Sequence, residues 1–184
     1  MTKVFIGGSR RITRLAADVR ARLDRIVASH LPVVLGDAYG ADKAVQAYLS
    51  GRHHELVEVF CSDTKPRNNL GSWPVRVARP ARNARDFEYY ATKDRAMAAA
   101  ATVGLMLWDG ESRGTLLNVL RLIAQGKPVV VYNQSAGGFR DVHSPREFEK
   151  LTSALNAAAA RRFHEQAEAE GFVPFISSQP TLPM

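Results

Sequence analysis

"VVLGDAYGAD", Val33 to Asp42, carries a β-branched apolar run straight into two glycines and two aspartates, and a helix-like segment follows. A strand that stops this way passes through a turn into a helix, which is half of a βα unit. The same arrangement occurs twice more, in "KVFIGGSR" (Lys3 to Arg10) and in "VGLMLWDGESRGT" (Val103 to Thr115). Three strand ends with polar, glycine-rich caps point to one shared site.

Outward from these segments the chain alternates. Strands are expected over residues 3–6, 32–35, 56–60, 104–107 and 129–132. Between the first two, Leu15, Val19, Leu23, Ile26 and Val27 recur at the spacing of an amphipathic helix. Further helices are expected over 41–50, with Gly51 as the stop, over 88–101, and over 115–125, where Gly126 suits a left-handed C-cap and Pro128 forbids continuation. Five short strands, apolar on both faces and separated by helices, predict an α/β fold with a doubly wound, mostly parallel five-stranded sheet. Residues 1–134 form this domain, with a basic insert at about 62–86; residues 135–184 add a C-terminal helix and tail to the same domain. "SPRE" puts Ser144 at an N-cap, Pro145 at the first helical position and Glu147 in a capping box, and one helix from there could run to Gly171. Its Ala157–Ala160 stretch has little to bury, so it either docks on a second copy of the chain, giving a homo-oligomer, or lies on the surface. "PFISSQPTLPM" reads as a proline-broken tail.

Composition narrows the function classes. At 184 residues and 20.2 kDa the chain suits one two-sided domain. No run of about 18 uncharged apolar residues and no leader pattern occurs, so no membrane partner and a cytoplasmic location are expected. A lone cysteine, Cys61, allows no internal disulfide, and adjacent His53 and His54 lack ligand spacing, so neither a metal nor a cofactor is expected. The net charge of +7 suits an anionic partner only if the charge is localised.

In a parallel sheet, ligands sit beyond the carboxyl ends of the strands, where connections diverge to opposite faces. All three capped segments lie there. Gly7 and Gly8 allow close backbone approach, Ser9 offers a hydroxyl and Arg10 a guanidinium fork, a set that suits phosphate; the alternative is a tight turn with a solvated arginine. In the second segment, Gly36 and Gly40 permit close ligand approach or positive φ, Ala38 between them is a further ligand contact, Asp42 is placed to cap the next helix, and Asp37 is placed to accept from a ribose hydroxyl or an amine or to act as a general base. In the third, Asp109 and Gly110 make a turn, and Ser112, Gly114 and Thr115 open a helix whose N–H groups form a second anion cradle. Trp108 is core or a stacking surface for a base.

"GGSR", "VVLGDAYGADKAVQAYL" and "DRAMAAAATVGLMLWDGESRGTLLNVLRLIAQGKPVVVY" together resemble the Rossmann-like (SLOG-type) superfamily that joins DNA-processing protein A to the Lonely-guy phosphoribohydrolases, over about Val4 to Tyr132. The resemblance implies a nucleotide or nucleotide-derived phosphorylated ligand, sensed or bound. Its DNA-processing branch implies single-stranded nucleic acid instead, and its phosphoribohydrolase branch implies cleavage of a base from a nucleoside 5′-monophosphate. "KDRAM" lies where the DNA-processing family has an Arg-Asn-Arg segment, which puts Lys93 and Arg95 at the crevice. The glutamate that the hydrolases and deoxyribosyltransferases carry just after their Gly-Thr is replaced by Leu117 and Asn118. Asn118 can bond a phosphate or ribose but cannot act as a base, so catalysis would fall to Asp37, Asp109 or Glu111. Binding ranks above hydrolysis on that ground. In the insert, Arg67, Arg76, Arg79, Arg82 and Arg85 form either a basic lid over the anion site or a solvated loop, and Trp73 either stacks a base or anchors the loop.

Overall fold

The computed structural model describes residues 1–84, 86–153 and 155–172. Strands β1 (Val4–Gly8), β2 (Val33–Gly36), β3 (Val57–Cys61), β4 (Val75–Val77), β5 (Val103–Trp108) and β6 (Val129–Asn133) run parallel, and β7 (Gly138–Val142) pairs antiparallel with β6. The sheet order is β4-β3-β2-β1-β5-β6-β7. Among the described residues the helices are α1 (Ala17–Ala28), α2 (Ala41–Gly51), α3 (Asp86–Ala100), α4 (Arg113–Ile123), α5 (Pro145–Thr152) and α6 (Ala157–Ala169).

Strand alternation makes two cores from one sheet. Ile6, Leu35, Val59 and Leu107 pack with Val19 and Leu23 of α1 and Val45 and Leu49 of α2. Their neighbours Phe5, Val34, Phe60 and Met106 pack on the other face with Met97 of α3, Leu116 and Leu120 of α4, Phe148 of α5 and Phe163 of α6. Both faces of the central strands are covered, which is why they read as continuous apolar runs. The chain leaves β1 toward one face and β5 toward the other, so the adjacent ends of these two strands form the crevice at which the connections diverge.

The five predicted strands are the sheet's centre, and two edge strands extend it to seven. β4 is three residues long and half exposed, and β7 mixes Phe139 with Arg140 and Asp141, so neither shows the apolar run of a buried strand. The single C-terminal helix is two. Ser144 does cap α5, its Oγ accepting from Glu147 N at 3.3 Å, but the chain turns after Thr152 and restarts where the Asn156 side chain accepts from Ala159 N at 2.9 Å. Within the alanine-rich stretch Ala157 and Ala158 are exposed and Ala159 and Ala160 half-buried, while further along α6 Phe163 and Ala167 are buried in the core. Gly51 is not the residue that stops α2; the left-handed position is His53, at φ 52°. The expected tail from Pro174, and Arg85, lie outside the described residues.

Candidate functional site

A cavity of about 660 Å³ opens at the β1–β5 crevice, lined by the loop after β1, the start of α4, the buried side of α3 and one face of α6. The loop after β1 is fixed by its own backbone. Ser9 N donates to Leu107 O at 2.9 Å, and Ser9 O accepts from Ala41 N at 3.0 Å, tying β1, β5 and α2 together. Gly40, at φ +80°, is needed because a Cβ there would lie 2.3 Å from Arg10 O. Gly36 is needed for a different pair, since its Cβ would lie 2.4 Å from Asp42 Oδ2 and 3.0 Å from Lys93 Nζ. Gly40 thus takes the positive φ expected as one alternative, and neither glycine lines the cavity, as ligand approach would require.

The opposite holds at the start of α4. A Cβ on Gly114 would meet no atom within 4 Å, and Gly114 lines the cavity. The first-turn N–H groups of Arg113, Gly114 and Thr115 have no intrahelical acceptor and stand at the positive end of the helix. Asp109 shapes this turn: its Oδ1 accepts from Ser112 N at 2.7 Å and Glu111 N at 3.1 Å, and its Oδ2 accepts from Ser9 Oγ at 2.6 Å. Burial alone would raise the Asp109 pKa, but these donors outweigh it and hold the carboxyl below the ordinary range. The Ser9 hydroxyl, read as a ligand donor, is committed to Asp109. Thr115 Oγ1 donates to Ser112 Oγ at 3.0 Å, and Asn118 Oδ1 accepts from Arg121 Nη1 at 2.5 Å.

Of the residues named from the sequence, Gly7, Gly8, Ser9, Arg10, Ala38, Asp42, Asp109, Glu111, Ser112, Gly114, Thr115 and Asn118 line this cavity together. Gly36, Asp37, Gly40, Arg95 and Trp108 do not. Asp37 is gripped by Arg67, which donates from Nε at 3.1 Å, from Nη2 at 2.8 Å and from its backbone N at 3.0 Å, so it is no free base. Arg95 pairs with Glu88, with its Nε 3.5 Å from Glu170. Trp108 is 1% exposed and belongs to the core, not to a stacking surface. Asp42 lies inside the first turn of α2, accepts from Ala38 N at 3.2 Å and does not cap the helix. Burial pushes its carboxyl up to about 6, against the pull of Lys93. Lys93 is itself buried and donates to Asp94 Oδ1 at 2.8 Å; burial disfavours its charge, but Asp94 and Asp42 outweigh this and raise its pKa.

Among the described residues, the insert forms no lid over the cavity. None of residues 62–84 lines the cavity; Trp73 is buried and donates from Nε1 to His54 O at 2.9 Å, Arg67 holds Asp37, and Arg76 pairs with Glu58 at 2.8 Å. Sequence reading missed the third wall. Arg121, 3% exposed, donates from Nε to Glu170 Oε2 at 2.9 Å and from Nη2 to Glu170 Oε1, so α6 is clamped to α4 beside the cavity. The readable signal was Asn156 ahead of an alanine run, an N-cap that starts a separate helix.

The acids on the wall are each engaged: Asp42 by Ala38 N, Asp94 by Lys93, Asp109 by Ser9, and Glu111 by Arg11. Three guanidinium groups on the wall, Arg10, Arg113 and Arg162, form no ion pair with the described residues, although Arg10 lies 4.9 Å over the Tyr90 ring. Among the described residues, no group of three or more His, Cys, Asp or Glu could hold a metal, and no helix is long and apolar enough to cross a membrane.

No family model matches the chain, and no curated protein does. A solved structure of DNA processing protein A from Helicobacter pylori, described for its single-stranded DNA binding mode, matches with a TM-score of 0.57. The fold is Rossmann-like. The match covers 91% of this chain and 81% of that one at 16% identity, so the likeness is one of architecture.

Proposed function

We propose that this protein binds a nucleotide or nucleotide-derived phosphorylated ligand in the β1–β5 cavity. The observation that carries the reading is the imbalance of its wall: every carboxylate has a partner, whereas Arg10, Arg113 and Arg162 have no acid among the described residues, and α4 presents its first turn beside open space at Gly114. A volume of about 660 Å³ suits a small ligand. Asp109 and Glu111, the wall acids that could serve an N-glycosidase, are held by Ser9 and by Arg11, which supports binding over turnover. The second reading, a single strand of nucleic acid, draws on the fold neighbour and the net charge of +7. It is weakened by α6, which walls one side of the cavity that a continuous strand would need open.

Thermal stability with nucleoside 5′-phosphates and with a short oligothymidylate, each at low and high salt, separates the two. Nucleotide binding predicts a rise in Tm with nucleotides that survives salt. A rise with the oligonucleotide alone, collapsing steeply with salt, would replace this proposal with strand binding.

A further inference from the structure

Two neighbouring arginines follow β1, and they are held in different ways. Arg11 Nη1 donates to Glu111, so an acid meets its charge. The Arg10 guanidinium has no hydrogen bond or ion pair among the described residues, and its Cζ stands 4.9 Å from the centroid of the Tyr90 ring. Tyr90 belongs to α3 and lines the same cavity, 38% exposed. Its neighbours fix it in place: Ala91 is buried, Tyr89 O accepts from Ser62 Oγ at 3.2 Å, and the Tyr89 ring meets it edge-on at 5.2 Å. Arg67 stands over the Tyr90 ring too, with Cζ 5.5 Å from the centroid, but its guanidinium is bonded to Asp37. Of the two cations on this ring, Arg10 is the one whose N–H groups are open to a ligand.

An aromatic face attracts a guanidinium through the ring quadrupole, which uses none of the five N–H donors and cancels none of the charge. A carboxylate in the same place would do both, as Glu111 does for Arg11. An arginine with no partner at all would keep its donors but lose rotamer freedom when a ligand immobilised it. Resting on the nucleotide reading above, we infer that Tyr90 positions Arg10 for phosphate: the ring orders the guanidinium at the cavity wall and leaves its charge and donors for the ligand. Tyr90 acts through Arg10 and not by stacking a base, because the ring face turned to Arg10 is already taken.

Calorimetry with adenosine and guanosine 5′-monophosphates tests it, on the wild-type chain, Tyr90→Leu and Tyr90→Phe, each with Arg10 present and with Arg10→Ala. Tyr90→Leu should weaken binding about two- to fivefold, the scale of an exposed cation–π contact, with Tm unchanged. Tyr90→Phe keeps the ring and should restore the affinity lost in Tyr90→Leu. In the Arg10→Ala background, Tyr90→Leu should cost nothing more. The Arg10 Nε–Hε proton signal should be displaced by the ring current in the wild type and return toward its ordinary place in Tyr90→Leu; where the Arg10→Ala chains bind too weakly to measure, this shift decides. Wild-type affinity in Tyr90→Leu, failure of Tyr90→Phe to restore it, a loss that recurs without Arg10, or a signal that does not move overturns the inference and leaves the nucleotide reading intact. No binding of either nucleotide to the wild type overturns both.

Discussion

Arg67 reaches back over thirty residues to close a two-pronged contact on Asp37, with Nη2 at 2.8 Å and Nε at 3.1 Å, and adds its own backbone N–H at 3.0 Å. Burial alone would raise the Asp37 pKa, but these donors overcome it and hold the carboxyl below the ordinary range. The strand-end aspartate is a fastener for the insert. Asp37→Asn should cost about 1 to 3 kcal/mol in urea denaturation. It should leave nucleotide affinity unchanged, because Asp37 is off the cavity wall. With the folded pKa below the unfolded one, the stabilisation is present above the ordinary carboxylate range and is lost as pH falls through the depressed value. The stability gap between wild type and Arg67→Ala should accordingly be widest near neutrality and shrink in acid.

Two glycines give opposite expectations. Gly114→Ala adds a methyl group to open space in a helix, so Tm should hold or rise, while phosphate or nucleotide binding by calorimetry should weaken because the methyl stands in the anion cradle. Gly36→Ala drives a methyl group to 2.4 Å from Asp42 Oδ2 and should lower stability by about 1 to 3 kcal/mol. Normal nucleotide affinity in Gly114→Ala would remove α4 from the site.

Asp42 should titrate near 6 by carboxyl-carbon NMR, pushed up by its burial, with Lys93 pulling down and Asp94 pushing up. Its folded value lies above the ordinary 3.8, so the folded state holds the proton longer than the unfolded chain. Stability from this group should fall as pH rises from about 4 to about 6 and level off above. Asp42→Asn should flatten that slope; a slope unchanged by the substitution assigns it elsewhere.

Glu170→Ala should destabilise the fold by about 1 to 3 kcal/mol, since it removes two hydrogen bonds from the buried Arg121 guanidinium and leaves it, among acids, only the longer contact with Asp94 Oδ2 at 3.6 Å. Joint replacement, Arg121→Met with Glu170→Leu, should recover much of that loss. Urea midpoints measure both, and hydrogen exchange should show α6 opening ahead of the sheet in the single variant only.

The centre of the sheet was legible because both faces are buried, which leaves apolar runs such as Val33 to Leu35 unmistakable in the sequence. The edges were not, because Val75 to Val77 are half exposed and nothing in their order demands pairing. At the cavity, the strand-end residues were legible from turn chemistry and from the rule that ligands sit where connections diverge. Their partners were not. That Asp37 faces Arg67, or that Ser9 is spent on Asp109, depends on contacts 30 and 100 residues apart, which no local spacing encodes. The α6 wall escaped for a further reason: Arg162 looks like any surface arginine until Phe163 beside it is seen to be buried.

The placement of α6 late in the chain has a consequence for synthesis. A domain generally folds as a unit. β1, β5 and α4 precede residues 156–170 in the chain, yet Phe163 and Ala167 fill the core that these elements share, so the crevice and its last wall are completed together, only once α6 has left the ribosome.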